Sequence, residues 1–331
     1  MNLRKLFYLF LIIPILFINQ ACSEDETTEP PTINETEVLA QYLEGTVNFV
    51  NSDKTPAMIA ASAVYATLVA DPTQQVILDI RSATDYAAGH IEGAVNVALK
   101  DIVTYYETNS LASKTTVVVA CYSGQTAGFA VGLLRLLGYT NVYDLKFGMC
   151  SWNDATASGW KNAIANGNAY ASQFVTTATD KNAAGTLPTL STGKTTGAEI
   201  LKARVTALLA TADPFGDAKI SASSVFSGLS SYYIVNYWSA TDYATGHIPG
   251  AVQYTPKADL NFSTLLKTLP INKPSVVYCY TGQTSAHIAA YLRVLGYDAK
   301  SLLYGVNGMS YDAMPGTKFS TADINSYPLV Q

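Results

Sequence analysis

The sequence predicts an α/β protein made of two copies of one domain, each a small parallel sheet with helices on both faces. Three observations carry that expectation. The segment VILDIRSATDYAAGHIEGAVNV at 76–97 returns as YIVNYWSATDYATGHIPGAVQY at 233–254, so that Asp85 and Asp242 stand 157 positions apart. Within each copy, short apolar runs alternate with helical patterns, the signature of strands joined by crossover helices. A repeat of that length is far longer than a solenoid unit, so the copies are domains and not an array.

The chain has 331 residues, 49% apolar and 14% charged, enough to bury two cores. Its start is a different kind of segment. Arg4 and Lys5 precede an apolar run from Leu6 to Ile18, too short to span a bilayer comfortably and well suited to a secretory signal. The run ends in NQAC, which resembles the lipobox of bacterial lipoproteins. That resemblance implies cleavage after residue 21, lipidation of Cys22 and an extracytoplasmic, cell-envelope location on the outer membrane or cell surface, with the lipid as the sole membrane contact. Residues 23–35, opening SEDETTEP, read as an acidic tether.

Residues 1–22 contain two of the 20 Lys and Arg and none of the 25 Asp and Glu, so the mature chain has 18 against 25, a net charge of −7. Nucleic acid is not an expected partner. Cys121, Cys150 and Cys279 would remain, an odd number that leaves at least one thiol without a partner in the chain.

Residues 36–175 form the first expected domain. Its elements read in order as QQVILDI, a strand; TDYAAGH, a short helix and turn; TTVVVA, a strand; TAGFAVGLLRLLG, a helix; and NVYDL, a strand. Phe129, Leu133, Leu136 and Leu137 recur at helical spacing, with Gly138 placed to stop the helix. TTATDKNAAGTLPTLSTGKTTG at 176–197 lacks apolar periodicity and reads as a linker. Residues 198–331 repeat the order: AKISASSVFSGL matches AMIAASAVYATL, and YLRVLGYDAKSLL matches LLRLLGYTNVYDL.

CYSGQT at 121–126 and CYTGQT at 279–284 each follow an apolar strand and open a helix. That position is the C-terminal edge of a parallel sheet, where ligands of open α/β sheets bind. Gly124 and Gly282 let the loops curl so that amides face inward, and the helix N-terminus adds a positive field. A thiol in that field is expected to have a depressed pKa and act as a nucleophile.

Each half resembles a rhodanese (sulfurtransferase) domain, through Asp79 and Arg81 of a DxR motif, YxxGHIxGA at Tyr86–Ala94 and Tyr243–Ala251, and the six-residue CxxGxT loops. The resemblance implies that Cys121 and Cys279 are catalytic, each taking sulfur from a small donor such as thiosulfate or mercaptopyruvate as a persulfide and passing it to a thiol or cyanide. Tyr122, Ser123, Gly124, Gln125 and Thr126, with Asp79 and Arg81 nearby, would form the first substrate site; Tyr280, Thr281, Gly282, Gln283 and Thr284 would form the second. The Ser123 and Thr126 hydroxyls would add donors, and no cofactor is implied. Phosphatases of related fold end a seven-residue loop in Arg; here Thr126 is followed by Ala127 and Thr284 by Ser285, which argues against phosphate chemistry.

The halves are not equal. Asn236 and Trp238 replace Asp79 and Arg81, and the loops lack the cations that thiosulfate-specific relatives carry beside the cysteine. His90 and His247 are expected to fix their turns by hydrogen bonds, and His287 to sit on a helix surface or tune Cys279. Cys150, aligned with Met309, is a packed residue or a resolving thiol. Three dispersed histidines and no clustered cysteines give no metal-site spacing. Two functions remain: a persulfide sulfurtransferase, or a non-enzymatic surface module binding a small anion, a thiol compound or a protein.

Overall fold

TVVVA at 116–120 and SVVY at 275–278 are unbroken apolar runs, the pattern of strands covered on both faces. In the computed structural model, which describes residues 33–331, both lie at the centre of five-stranded parallel sheets. The expected signal segment and Cys22 lie outside the described residues. The first half comprises α1 (Glu35–Tyr42), β1 (Met58–Ile59), α2 (Ala61–Ala70), β2 (Gln75–Asp79), α3 (Ala83–Ala88), β3 (Val95–Asn96), α4 (Ile102–Thr108), β4 (Thr116–Ala120), α5 (Gln125–Leu136), β5 (Val142–Leu145) and α6 (Ser158–Ala165). The second comprises α7 (Gly197–Leu209), β6 (Lys219–Ile220), α8 (Ala222–Ser227), β7 (Tyr233–Asn236), α9 (Ala240–Thr245), β8 (Val252–Gln253), β9 (Ser275–Tyr278), α10 (Gln283–Val294) and β10 (Ala299–Leu302). The strand orders, β1-β5-β4-β2-β3 and β6-β10-β9-β7-β8, are the same topology twice.

One face of each sheet enters a shared core. Val117, Val119, Phe129 and Leu133 pack in the same apolar cluster as Val277, Ile288, Tyr291 and Leu292. Helices α5 and α10 meet there, and a methyl on Gly132 would lie 3.0 Å from the Ala290 Cβ, so the close approach requires a small residue. The opposite faces are covered separately, by a cluster around Val64, Ile77 and Trp152 in the first half and one around Val225, Ile234 and Trp238 in the second. α5 stops as its sequence predicts, with Gly138 at φ +94°.

The chain ends exchange halves. Thr36 donates to the Pro188 carbonyl (2.6 Å), Glu35 accepts from Thr192 and Gly193, and Asn51 reaches Ala258, so residues 35–54 lean on the second half. The C-terminal tail returns to the first: Trp152 Nε1 donates to the Pro328 carbonyl, Tyr65 stacks on Tyr327, and Val330 pairs with His90. Residues 176–197 are an ordered strap along the second half, bridging Thr179 to Val252 and donating from Gly185 to the Lys267 carbonyl.

Candidate active site

Cys121 is the first residue after β4, and its loop is shaped by hydrogen bonds to the backbone that follows β5. The carbonyls of Cys121 and Tyr122 accept from Met149 N and Cys150 N, and Trp160 Nε1 donates to the Ser123 carbonyl. With its carbonyls turned outward, the loop directs amides at the sulfur: Gly124 N lies 3.2 Å and Ala127 N 3.3 Å from Cys121 Sγ. Two glycines make this possible. Gly124 takes φ +85°, and at Gly148 a methyl would fall 2.5 Å from both Cys121 O and Gly124 N.

The second half repeats the construction. Gly282 N lies 3.2 Å and Ser285 N 3.3 Å from Cys279 Sγ, while Val306 N and Asn307 N hold the Cys279 and Tyr280 carbonyls. These bonds align Cys150 with Asn307, which corrects the sequence pairing with Met309. Ala127 and Ser285 lie beyond the motif read from sequence; as first-turn helix amides one residue past the loop, they were accessible from helix geometry alone. Ser285 adds a hydroxyl, its Oγ 3.6 Å from Cys279 Sγ and 2.8 Å from Ser301 Oγ.

The expected acidification of Cys121 is reversed. The thiol is 1% exposed, and burial pushes its pKa up to about 11 against the opposing pull of the Ala127, Ser123 and Gly124 amides. Cys150, also buried, is pushed up for the same reason.

The loop glutamines face the opposite half. Gln125 Oε1 accepts from Tyr304 N (2.7 Å), and Gln283 Oε1 accepts from Phe147 N (3.1 Å), so each loop is pinned to the segment that braces the other. Gln283 Nε2 also donates to Asp144 Oδ1 (3.0 Å), a carboxyl that burial holds well above the usual carboxylate range. His287 is buried at this seam, neither exposed nor touching Cys279: its Nδ1 donates to the Gln283 carbonyl, Nε2 faces Ala57 N, and burial lowers its pKa to about 4. Its Nδ1 lies 3.9 Å from Asp144, and burial disfavours the charged form of both groups.

The remaining expected residues divide. Ser123 Oγ accepts from Gln125 Nε2 and Thr281 Oγ1 lies 3.4 Å from Gln283 N, so these hydroxyls brace the loops and do not contact sulfur. Neither Thr126 nor Thr284 makes a hydrogen bond to the sulfurs. Asp79 and Arg81 form a buried pair (2.6 Å), and Arg81 also donates to the Gly89 carbonyl. Tyr86 and Tyr243 donate to the Ala94 and Ala251 carbonyls and stack on His90 and His247, whose Nδ1 atoms bond the tyrosine carbonyls; the YxxGHIxGA motif is a turn clamp.

Outside the loops the halves diverge. Tyr122, 47% exposed, donates to Asp85, and a cleft of about 310 Å³ opens beside it, lined among others by Arg81, Asp85, Met149 and Leu329. Tyr280 likewise donates to Asp242, yet its ring stacks on Trp238 (5.0 Å, 8°) and lies against Gly316. Trp238 thus fills with an aromatic ring the position that Arg81 occupies in the first half.

The rhodanese-like domain family matches residues 61–155 and 231–310. Thiosulfate sulfurtransferase GlpE of Pseudomonas fluorescens is 38% identical over 77 residues, 23% of this chain and 69% of that protein. The GlpE of Pseudomonas entomophila is 34% identical over 94 residues, 28% and 81%. A thiosulfate sulfurtransferase structure from Pseudomonas aeruginosa aligns with 87% of this chain and 48% of that one, at 20% identity and a TM-score of 0.30. With two five-stranded sheets, a cysteine loop on each and both halves matched, the chain belongs to the rhodanese-like domain family as a tandem protein distantly related to the thiosulfate sulfurtransferases.

Proposed function

We propose that this protein is a sulfurtransferase that carries sulfane sulfur as a persulfide on Cys121, with Cys279 as a second carrier, and delivers it to a thiol or cyanide. The observation behind this reading is the pair of amides on each sulfur, at 3.2 and 3.3 Å, in loops of a family whose similar relatives are named thiosulfate sulfurtransferases. With thiosulfate, the Cys121 thiolate attacks the outer sulfur, the donor S–S bond breaks, and sulfite leaves with the electron pair. An acceptor nucleophile then attacks the outer persulfide sulfur and the thiolate returns. Gly124 and Ala127 amides oppose the negative charge on Sγ whenever it forms. The cleft beside Tyr122 favours Cys121 as the principal carrier.

The test is thiosulfate:cyanide and mercaptopyruvate:thiol turnover, with intact mass, for wild type, Cys121→Ser, Cys279→Ser and the double variant. The expected result is one added sulfur per reactive cysteine, turnover lower by at least ~100-fold in Cys121→Ser, and no added sulfur in the double variant. Absence of any added sulfur with every donor would leave a binding module in its place.

We further infer tethering to the cell envelope by a lipid on Cys22, supported by Arg4, Lys5, the apolar run and the cysteine that ends it. Among the described residues no helix is long and apolar enough to cross a membrane. Cys22→Ser is expected to move the protein from the membrane fraction to the soluble one; an unchanged distribution would sink the anchor.

A further inference from the structure

The charges at the cleft that borders the Cys121 loop through Tyr122, without being lined by Cys121 itself, are poorly suited to a dianion. Arg81 is its one lining cation, and that guanidinium is already paired with Asp79, bonded to the Gly89 carbonyl and 6% exposed. Asp85 is exposed on the same cleft and is held by Tyr122, the residue after the cysteine. Hydrogen bonds from Ser82 and Tyr122 lower its pKa and keep it ionised. Neither loop supplies a compensating cation, since Tyr122 and Ser123, or Tyr280 and Thr281, follow the cysteines. The second half repeats the carboxylate, Asp242 on Tyr280, and has no arginine at position 238. Met149, Ala155 and Leu329 give the cleft an apolar wall.

We propose that the donor at Cys121 is an organic sulfane-sulfur compound bearing an amine and no net charge, and that Asp85 selects it against dianionic donors. This rests on the sulfur-transfer reading and names its substrate class. The ammonium pairs with the Asp85 carboxylate, the carbon chain lies on Met149 and Leu329, and the outer sulfur faces the thiolate. With a thiosulfonate donor, the Cys121 thiolate bonds to the outer sulfur, the donor S–S bond breaks, and a sulfinate leaves with the pair. One thiolate and one thiosulfonate anion become one persulfide anion and one sulfinate anion, so atoms, charge and electrons balance without an added oxidant.

The experiment uses three donors of equal chemistry and graded charge: thiosulfate, methanethiosulfonate and the zwitterion 2-aminoethanethiosulfonate. Persulfide formation on Cys121 is followed by intact mass in the Cys279→Ser background. The zwitterion is expected to exceed thiosulfate in kcat/KM by at least ~10-fold, and Asp85→Asn, which still accepts from Tyr122, to shrink that ratio about tenfold. With the unaltered cleft, the thiosulfate rate is expected to rise with ionic strength as repulsion is screened, a readout that needs no Asp85 variant. A preference for thiosulfate with a rate that falls with salt would overturn the inference and leave sulfur transfer standing. No added sulfur from any of the three donors would overturn both.

Discussion

The two halves share a scaffold and differ in what surrounds the sulfur. Backbone geometry is repeated closely: Gly124 and Gly282 both hold φ near +80°, Gly148 and Gly305 both lie under the loops, and two amides approach each Sγ. The side chains are repeated only in part: both halves keep the Tyr–Asp bond and the loop glutamine, and other positions change. Asp79, Arg81, Ala127 and Asp144 of the first half stand opposite Asn236, Trp238, Ser285 and Ser301 in the second. The loop conformation is thus a property of glycines and backbone hydrogen bonds, which tolerate a change from charged to aromatic or hydroxyl surroundings. Reactivity is set by the surroundings, so the halves can diverge chemically without refolding.

The largest expected effect follows from burial of the first cysteine. With its pKa pushed up to about 11, the thiolate fraction of Cys121 grows about tenfold per pH unit across the neutral and mildly alkaline range. Iodoacetamide labelling in the Cys279→Ser background should rise accordingly from about pH 7 to about pH 10 without levelling. A plateau near neutrality would mean that the amides outweigh burial after all. Next in size is Arg81→Ala, which leaves Asp79 buried without its partner and should cost ~3–5 kcal/mol in denaturant unfolding. Asp79→Asn with Arg81→Trp, the pair found in the second half, should recover part of that loss; a cost under ~1 kcal/mol for Arg81→Ala would remove the charge pair from the structural account.

Much of this arrangement was legible in the sequence. The duplication, the apolar strands, the stop of α5 at Gly138 and the cysteine loops rest on local pattern, and the fold follows them. What the sequence hid depends on contact between halves. Gln125 and Gln283 read as substrate-site residues, and the seam role of their side chains was hidden because their partners, Tyr304 and Phe147, belong to the other domain. His287 lies on a helix face that would be exposed were α5 not packed against it. The helix field at Cys121 was readable from the loop's position, but its burial was not, and burial decides the direction of the shift.

A smaller effect is expected at Asp144, the buried acid whose counterpart is Ser301. Burial raises its pKa, so above the ordinary carboxylate range the folded chain keeps this proton to higher pH than the unfolded chain does. The folded state therefore binds more protons, and this residue's contribution to stability falls as pH rises above the ordinary carboxylate range. Asp144→Asn removes that dependence while retaining an acceptor for Gln283. Thermal unfolding should show a gain of a few degrees at neutral pH that disappears towards pH ~4. A gain of equal size at both pH values would show that proton uptake is not its source.

The smallest expected effect tests whether the hydroxyl at Ser285 distinguishes the two sulfurs. Ser285 Oγ lies 3.6 Å from Cys279 Sγ and also bonds the Gly282 carbonyl at 3.1 Å and Ser301 Oγ at 2.8 Å. Ser285→Ala reproduces the first half's Ala127 and removes the hydroxyl while leaving the amide at 3.3 Å in place. Ser301 keeps its bond to the Gly282 carbonyl, so the stability cost should be about 1 kcal/mol. The Cys279 thiol donates to Ser285 Oγ, whose own proton goes to the Gly282 carbonyl, so losing that acceptor frees the sulfur and Cys279 labelling should rise by about threefold. Cys121 labelling in the same variant should be unchanged, because the hydroxyl has no counterpart there. An equal change at both cysteines would mean that the seam of Gln125 and Gln283 transmits it, and the halves would then react as one unit.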